Sequence, residues 1–244
     1  AHGFQGDDAD TRSLKGIKIN ILMGRHAGWL TAASTLGKST EEDGPHLVYV
    51  PEKTFNLESF VKEVKEVYES LGRCLVAVSE GVHDDKGEYF LQTYANNAGS
   101  GLAGKKDSHG NIQLSGSGAL GDTLANIISE NIESARVRAD TFGYLQRSFL
   151  ADISEVDADE AERVGQHAVV ASKTENSGSI ILKRQLSDKY YCEVGLVELE
   201  KVAKNTKVMP KDFLDENKPY VTNEFFEYAM PLTGGIEPKT QIFV

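Results

Sequence analysis

The chain has 244 residues, with 26 lysines and arginines against 37 aspartates and glutamates, and a formal net charge of −11. So acidic a balance argues against nucleic acid or an anionic membrane surface as partner, and no run approaches the roughly 18 apolar residues of a membrane span. With 40% hydrophobic and 26% charged residues, the composition is that of an ordinary soluble globular protein, long enough for one large domain or two small ones.

Residues 1–15 are polar and carry Asp7-Asp8-Ala9-Asp10, so a loop or broken end is expected there. They lack the basic flank and apolar core of a signal peptide, and no initiator Met precedes them, which fits a truncated or processed start. Residues 17–22, Ile-Lys-Ile-Asn-Ile-Leu, alternate and then turn apolar, the pattern of a strand buried at its C-terminal end. Gly24 and Gly28 follow, and Trp29 to Leu36 can run as a short helix. A strand, a glycine turn and a helix place backbone amides and Arg25 at the carboxyl edge of a sheet, where ligands of open α/β sheets bind. The same string also fits a plain strand-to-helix turn.

Leu47-Val-Tyr-Val50 makes a second buried strand, stopped by Pro51. Asn56 is positioned as an N-cap. Leu57, Phe60, Val61, Val64, Val67, Tyr68 and Leu71 follow at helical spacing, and Gly72 stands where a C-cap belongs. Residues 74–78, Cys-Leu-Val-Ala-Val, form a third buried strand that delivers Glu80 to the same edge as Arg25. Such strand–helix–strand units imply an α/β fold with parallel pairing and right-handed crossovers. A lone Glu at a strand end is usually solvated or paired with a base. As an acceptor-only group it can also grip sugar hydroxyls.

Residues 83–113 are rich in Asp, Lys, Gly and Asn, and Tyr89-Phe90-Leu91 and Ile112-Gln113-Leu114 bracket an irregular insertion. Ser115-Gly-Ser-Gly118 lacks the Lys-Ser/Thr ending of a nucleotide loop and reads as a flexible lead into the next helix. That helix is marked by Leu120, Leu124, Ile127, Ile128 and Ile132. Val137 to Phe142 is a further strand. Asp157-Ala-Asp-Glu160 has capping-box spacing ahead of a helix through Val164, Ala168 and Ala171. Ile180-Ile-Leu182 is another apolar strand, and Val221 to Tyr228 suggests a final short helix. Cys74 and Cys192 lie far apart and read as buried, reduced cytosolic thiols. His26, His46, His83 and His167 are scattered and form no cluster.

The most specific stretch is Arg138-Ala-Asp-Thr-Phe-Gly-Tyr-Leu-Gln-Arg147. Arginine is always charged, planar and able to donate in bidentate pairs, which suits a phosphate dianion. A protein this acidic has no general attraction for an anion, so a phosphate site must be built from a few placed cations.

Together these residues resemble the phosphofructokinase family. Arg138 to Ser148 looks like its sugar-phosphate-binding segment, and the Tyr-Leu-Gln-Arg form resembles its pyrophosphate-dependent branch. Met23-Gly24-Arg25 resembles its Met-Gly-Arg loop, and Ser79-Glu80-Gly81 its (Ser/Thr)-Glu-Gly strand end. The likeness runs from about residue 16 to about 235 with the motifs in the family's order. It implies a three-layer, mostly parallel sheet with helices on both faces, here incomplete. The family's Gly-Gly-Asp phosphate loop and Thr-(Ile/Met)-Asp segment, which carries the general base, lie upstream of the Met-Gly-Arg loop. Neither is among the 22 residues before Met23. The chain is therefore expected to be a C-terminal portion, inactive alone. Expected segments are a loop over 1–15, a sugar-phosphate-binding α/β domain over 16–149, a stretch returning to the donor-binding domain over 150–205, and a tail over 206–244.

The resemblance implies phosphoryl transfer from pyrophosphate to the 1-hydroxyl of fructose 6-phosphate. It implies that Arg147, with Tyr144, Leu145 and Gln146 beside it, holds the 6-phosphate, and that Arg138 adds a second cation, which in the family often comes from the neighbouring subunit. Met23 and Gly24 would pack and hydrogen-bond the sugar, Glu80 would hold its hydroxyls, and Arg25 would face the transferred group. Magnesium is expected with the diphosphate, bound mainly by residues outside this chain. A cytoplasmic homo-oligomer, dimer or tetramer, is expected. An ATP-dependent phosphofructokinase and a catalytically silent sugar-phosphate-binding half are the alternatives.

Overall fold

The computed structural model describes residues 1–97, 118–185 and 189–236. In chain order its helices and strands are α1 (His2–Leu14), β1 (Gly16–Leu22), α2 (Trp29–Ala33), β2 (Leu47–Tyr49), α3 (Leu57–Leu71), β3 (Arg73–Ser79), α4 (Phe90–Asn97), α5 (Ala119–Asn131), β4 (Val137–Thr141), α6 (Leu145–Ser148), α7 (Glu155–Ala171), β5 (Ser179–Arg184), β6 (Cys192–Val197) and α8 (Asn223–Ala229). They fall into two compact units. One comprises Ala1–Ser148 with Val208–Phe226, the other Phe149–Lys207 with Glu227–Ile236.

The first unit is built on a four-stranded parallel sheet in the order β2-β3-β1-β4. The alternation in β1 explains its two faces. Ile17, Ile19 and Ile21 point into one apolar core with Cys74, Val76 and Val78 of β3, Phe60 and Val64 of α3, and Leu124 and Ile128 of α5. A strand that alternates in this way can bury every other residue on one layer of helices. Lys18 and Asn20 point to the opposite face, where Asp7 of α1 meets both: its Oδ1 pairs with Lys18 Nζ at 2.6 Å and its Oδ2 accepts from Asn20 Nδ2 at 2.6 Å. Helices thus cover both faces of a parallel sheet.

The loop expected over residues 1–15 is corrected: His2–Leu14 form a helix. The acidic run that suggests a solvated end is used internally. Asp8, 6% exposed, accepts the backbone N–H of Gly44 at 3.0 Å and pairs with Arg12 at 2.8 Å, with Arg73 at 3.7 Å. Arg12 continues to Asp43 at 2.7 Å. Buried polar groups are tolerated when each finds a partner.

α3 starts and stops as its sequence indicates. Asn56 Oδ1 accepts the N–H of Ser59 at 2.9 Å, and the N–H of Gly72 closes on Tyr68 O at 2.8 Å. The helix expected from Trp29 to Leu36 is shorter: α2 gives way to a 3-10 turn over Ser34–Gly37. There the hydroxyls of Ser34 and Thr35 donate back to Thr31 O and Ala32 O at 2.6 and 2.8 Å, tightening the chain. Tyr89-Phe90-Leu91 leads into α4, whereas Ile112 to Leu114 and Ser115 to Ser117 lie outside the described residues. Cys74 and Cys192 are buried free thiols.

The second unit packs α7 on the antiparallel hairpin β5–β6. Here too a cap is corrected. The helix is capped three residues before Asp157, by Ser154, whose Oγ accepts the N–H of Asp157 at 3.3 Å while donating to Leu232 O at 2.7 Å. The buried carboxylate of Glu160 accepts from Tyr190 Oη at 2.8 Å. Phe149, Leu150, Ile153, Val169 and Val170 are exposed apolar side chains of this unit. Among the described residues no helix is long and apolar enough to cross a membrane.

Candidate active site

β3, β1 and β4 are neighbours and run in parallel, so their carboxyl ends share one edge. Leu22 stands opposite Ser79, and Ile21 opposite Thr141. The ladder carries on past the strands: Glu80 N–H donates to Leu22 O at 2.9 Å and Phe142 N–H to Ile21 O at 3.0 Å. Met23-Gly24-Arg25, Ser79-Glu80-Gly81 and Gly143 to Arg147 therefore emerge side by side. A switch in crossover direction at such an edge opens the crevice in which α/β proteins bind ligands.

Two glycines let the loops close on one another. Gly24 adopts φ +151°, and a Cβ there would stand 2.6 Å from Ala27 O. Gly81 is packed against the loop backbone, so that a Cβ would meet Gly24 O at 2.6 Å. A side chain at either place would push the loops apart. The buried hydroxyl of Ser79 donates to Gly24 O at 2.6 Å, and Glu80 Oε1 accepts the N–H of Gly24 at 3.4 Å. At its far end the loop is fastened by Glu52, whose carboxylate accepts the N–H of Gly28 at 3.0 and 3.1 Å and that of Met209 at 3.0 Å.

Glu80 is 8% exposed. Burial raises its pKa, while the Gly24 N–H and the cations Arg25 and Arg147 pull the other way. Both guanidiniums are thus near enough to act on one carboxylate. Neither forms an ion pair among the described residues. Arg147 sits over the ring of Tyr144 at 5.8 Å, and Tyr144 and Leu145 are exposed at the crevice rim. Gln146 folds back, its Nε2 donating to Gly143 O at 2.8 Å.

The structure therefore brings Met23, Gly24, Arg25, Glu80, Tyr144, Leu145, Gln146 and Arg147 to one edge. Arg138 is not with them. It is the second residue of β4, paired in register with Lys18, and lines a small recess with Lys15, Lys18 and Arg136. Three residues at the edge carry no role in the sequence reading: Ser79, Glu52 and Tyr89. Ser79 and Glu52 hold backbone, which no spacing signals. Tyr89 has its phenol in the electrostatic reach of Arg25 and Glu80.

The phosphofructokinase family model matches residues 8–172, more than half of the chain. The chain belongs to the phosphofructokinase family. Among phosphofructokinase relatives, the pyrophosphate–fructose 6-phosphate 1-phosphotransferase of Rhodospirillum rubrum is 46% identical over 235 residues, covering 96% of this chain and 56% of the relative. That of Halomonas elongata is 33% identical over 89% of this chain and 49% of its own length. The crystal structure of the pyrophosphate-dependent phosphofructokinase from Nitrosospira multiformis superposes with a TM-score of 0.77 at 27% identity, over 96% of this chain and 53% of that one. The chain spans about half the length of the curated phosphofructokinases it matches.

Proposed function

We propose that this chain is the sugar-phosphate half of an enzyme that moves a phosphoryl group from pyrophosphate to the 1-hydroxyl of fructose 6-phosphate, giving fructose 1,6-bisphosphate. The observation that carries this reading is the pair of guanidiniums, Arg25 and Arg147, within electrostatic reach of the buried Glu80 and without an ion-pair partner among the described residues. Arginines free of ion pairs at a sheet's carboxyl edge suit a phosphorylated ligand, and a buried carboxylate at the same edge suits its hydroxyls.

Arg147 grips the 6-phosphate, with Tyr144 stacked beneath the guanidinium and Leu145 and Gln146 shaping the rim. Gly24 and Met23 pack along the sugar, and Glu80 accepts from its hydroxyls. Arg25 faces the moving phosphoryl group. Phosphoryl transfer needs alignment, a base for the attacking hydroxyl and cations for the redistributing charge. Arg25 supplies the last and cannot supply the base, which we assign to the part of the relatives' length that this chain does not span. Magnesium would neutralise the diphosphate. Its binding is assigned to residues outside this chain; among the described residues no group of three or more His, Cys, Asp or Glu side chains gathers as a metal site.

The names of the relatives favour pyrophosphate over ATP as donor. Arg138, away from this edge, serves a neighbouring subunit of a cytoplasmic homo-oligomer. The exposed apolar side chains of Leu150, Ile153, Val169 and Val170 face the donor-binding half of the enzyme.

Calorimetric titration of the chain with fructose 6-phosphate tests the reading. Saturable binding that Arg147→Ala abolishes is expected, with no turnover by the chain alone. Binding no tighter than that of inorganic phosphate overturns the sugar-phosphate site. Turnover by chain free of full-length enzyme overturns the assignment of the base elsewhere.

A further inference from the structure

After Glu80 the chain turns back on itself, and the returning limb carries Tyr89. Phe90 N–H donates to Val82 O at 3.0 Å, Asp84 N–H to Glu88 O at 2.9 Å, and Gly87 N–H to Asp84 O at 3.1 Å. Asp84 Oδ1 collects the N–H groups of Lys86 and Glu88 at 2.9 and 3.0 Å, which fixes the tip of the turn. His83 and Tyr89 stand opposite one another as an antiparallel bridge.

Both ends of this hairpin are anchored. At its start, Gly81 lies against the carbonyls of Gly24 and Arg25. At its end, Phe90 is 8% exposed and stacks edge-on against Phe55, with ring centroids 4.8 Å apart. Tyr89 is half-buried between these anchors, and its hydroxyl has no hydrogen-bond partner among the described residues. Burial raises its pKa, Arg25 opposes that and Glu80 adds to it, so the phenol keeps its proton and remains a donor at neutral pH.

A sugar hydroxyl is donor and acceptor at once. When it donates to Glu80, which as a carboxylate can only accept, the hydroxyl oxygen still has lone pairs to satisfy. Once a bound ligand displaces water from that hydroxyl, an unmet acceptor is costly. We propose that Tyr89 contacts the substrate, donating its phenolic O–H to the same sugar hydroxyl that donates to Glu80, and that the pair selects sugars with a hydroxyl at that place. The inference rests on the reading of this edge as the fructose 6-phosphate site.

The test uses a full-length enzyme carrying this segment, with Tyr89→Phe, Glu80→Gln, the double variant and Arg147→Ala. Tyr89→Phe keeps the ring and removes only the donor. Its KM for fructose 6-phosphate should rise about 3- to 10-fold, with kcat within twofold of the parent. Because both groups serve one hydroxyl, the double variant should lose less than the product of the single losses. Calorimetric binding without pyrophosphate gives the same comparison for any variant too unstable to assay. If Arg147→Ala raises KM and Tyr89→Phe does not, or if the two losses multiply, the role of Tyr89 is refuted while the site stands. If Arg147→Ala also leaves KM unchanged, the site itself is wrong and this inference goes with it.

Discussion

Glu80 Oε1 accepts the backbone N–H of Gly24 at 3.4 Å, across the boundary between two neighbouring strand ends. One side chain thus links the loop bearing Arg25 to the strand end that presents the carboxylate. That contact occupies one oxygen, leaving Oε2 of Glu80 for a ligand. The kinetic roles of the surrounding residues can be separated on this basis.

Arg147→Ala should raise the KM for fructose 6-phosphate. Loss of a bidentate phosphate contact costs on the order of 2–4 kcal/mol, about 30- to 1000-fold in affinity. The ring of Tyr144 would then lose the cation it carries, but the fold should keep its melting temperature, since Arg147 is exposed and unpaired with any acid among the described residues. Steady-state kinetics with fructose 6-phosphate varied is the measurement, and an unchanged dependence would count against the assignment.

Glu80→Gln should raise KM and at the same time stabilise the protein. Its contacts to neutral hydroxyls are similar in the ground and transition states, so KM rather than kcat carries the loss. The stability sign follows from the raised pKa. A carboxyl whose folded pKa lies above its unfolded value favours the fold below the unfolded pKa, and this gain disappears as pH rises through the folded pKa. At neutral pH the ionised form is therefore a burden that an amide of the same shape removes. The melting temperature of Glu80→Gln at pH 7 should equal or exceed the parent's; a clear fall would show Glu80 to be structural.

Arg25→Ala should lower kcat, on the order of 100- to 1000-fold if the guanidinium stabilises charge on the moving group. Were Arg25 only a partner for a nearby acid, the variant would instead melt earlier with turnover per folded molecule intact. Measuring kcat beside the melting temperature separates the two. Turnover within a few-fold of the parent would remove Arg25 from the chemistry.

His46 should make the first unit acid-sensitive. Its Nδ1 accepts the N–H of Leu75 at 2.8 Å and its Nε2 faces Glu42 O at 3.2 Å. Burial and then Arg73 and Lys38 push its pKa down to about 4, against the pull of Asp8 and the Glu42 carbonyl. Because the folded pKa is depressed, the neutral ring's contribution is complete above about pH 6.5 and is lost as pH falls toward 4. Over that window the loss should reach on the order of 2–3 kcal/mol. His46→Asn, which keeps an acceptor for Leu75, should flatten the denaturation profile between those pH values; parallel profiles would refute the assignment.

The strands were legible because burial on one or both faces leaves a mark in the sequence: Ile17, Ile19 and Ile21 alternate, and Cys74 to Val78 run apolar. The edge motifs were legible because strand ends are where such chains turn. The helix over His2–Leu14 was not, because Asp7 and Asp8 look solvated until Lys18, Asn20 and Arg73 are seen to meet them from the sheet. Periodicity describes what a helix buries against apolar neighbours, not which acids a distant strand will neutralise. Tyr89 was illegible for a similar reason. A lone aromatic in a polar insertion has no period, and its place depends on Phe90 closing onto Val82. Ser154 displaced the Asp157 cap because a hydroxyl can donate and accept at once, and Leu232 offered the second bond.

The strand order carries one more implication, for the length of what can be held. β3, which leads into Glu80, and β4, which leads through Phe142 and Gly143 to the α6 turn bearing Arg147, flank β1 on opposite sides, so the two strand ends lie two inter-strand spacings apart, about 10 Å. Backbone hydrogen bonds across the sheet set that distance, and side-chain rearrangement alters it little. On the proposed roles of Glu80 and Arg147 the edge would work as a gauge: a six-carbon chain with a terminal phosphate can reach from one strand end to the other, while a triose phosphate would engage one end and leave the other in water.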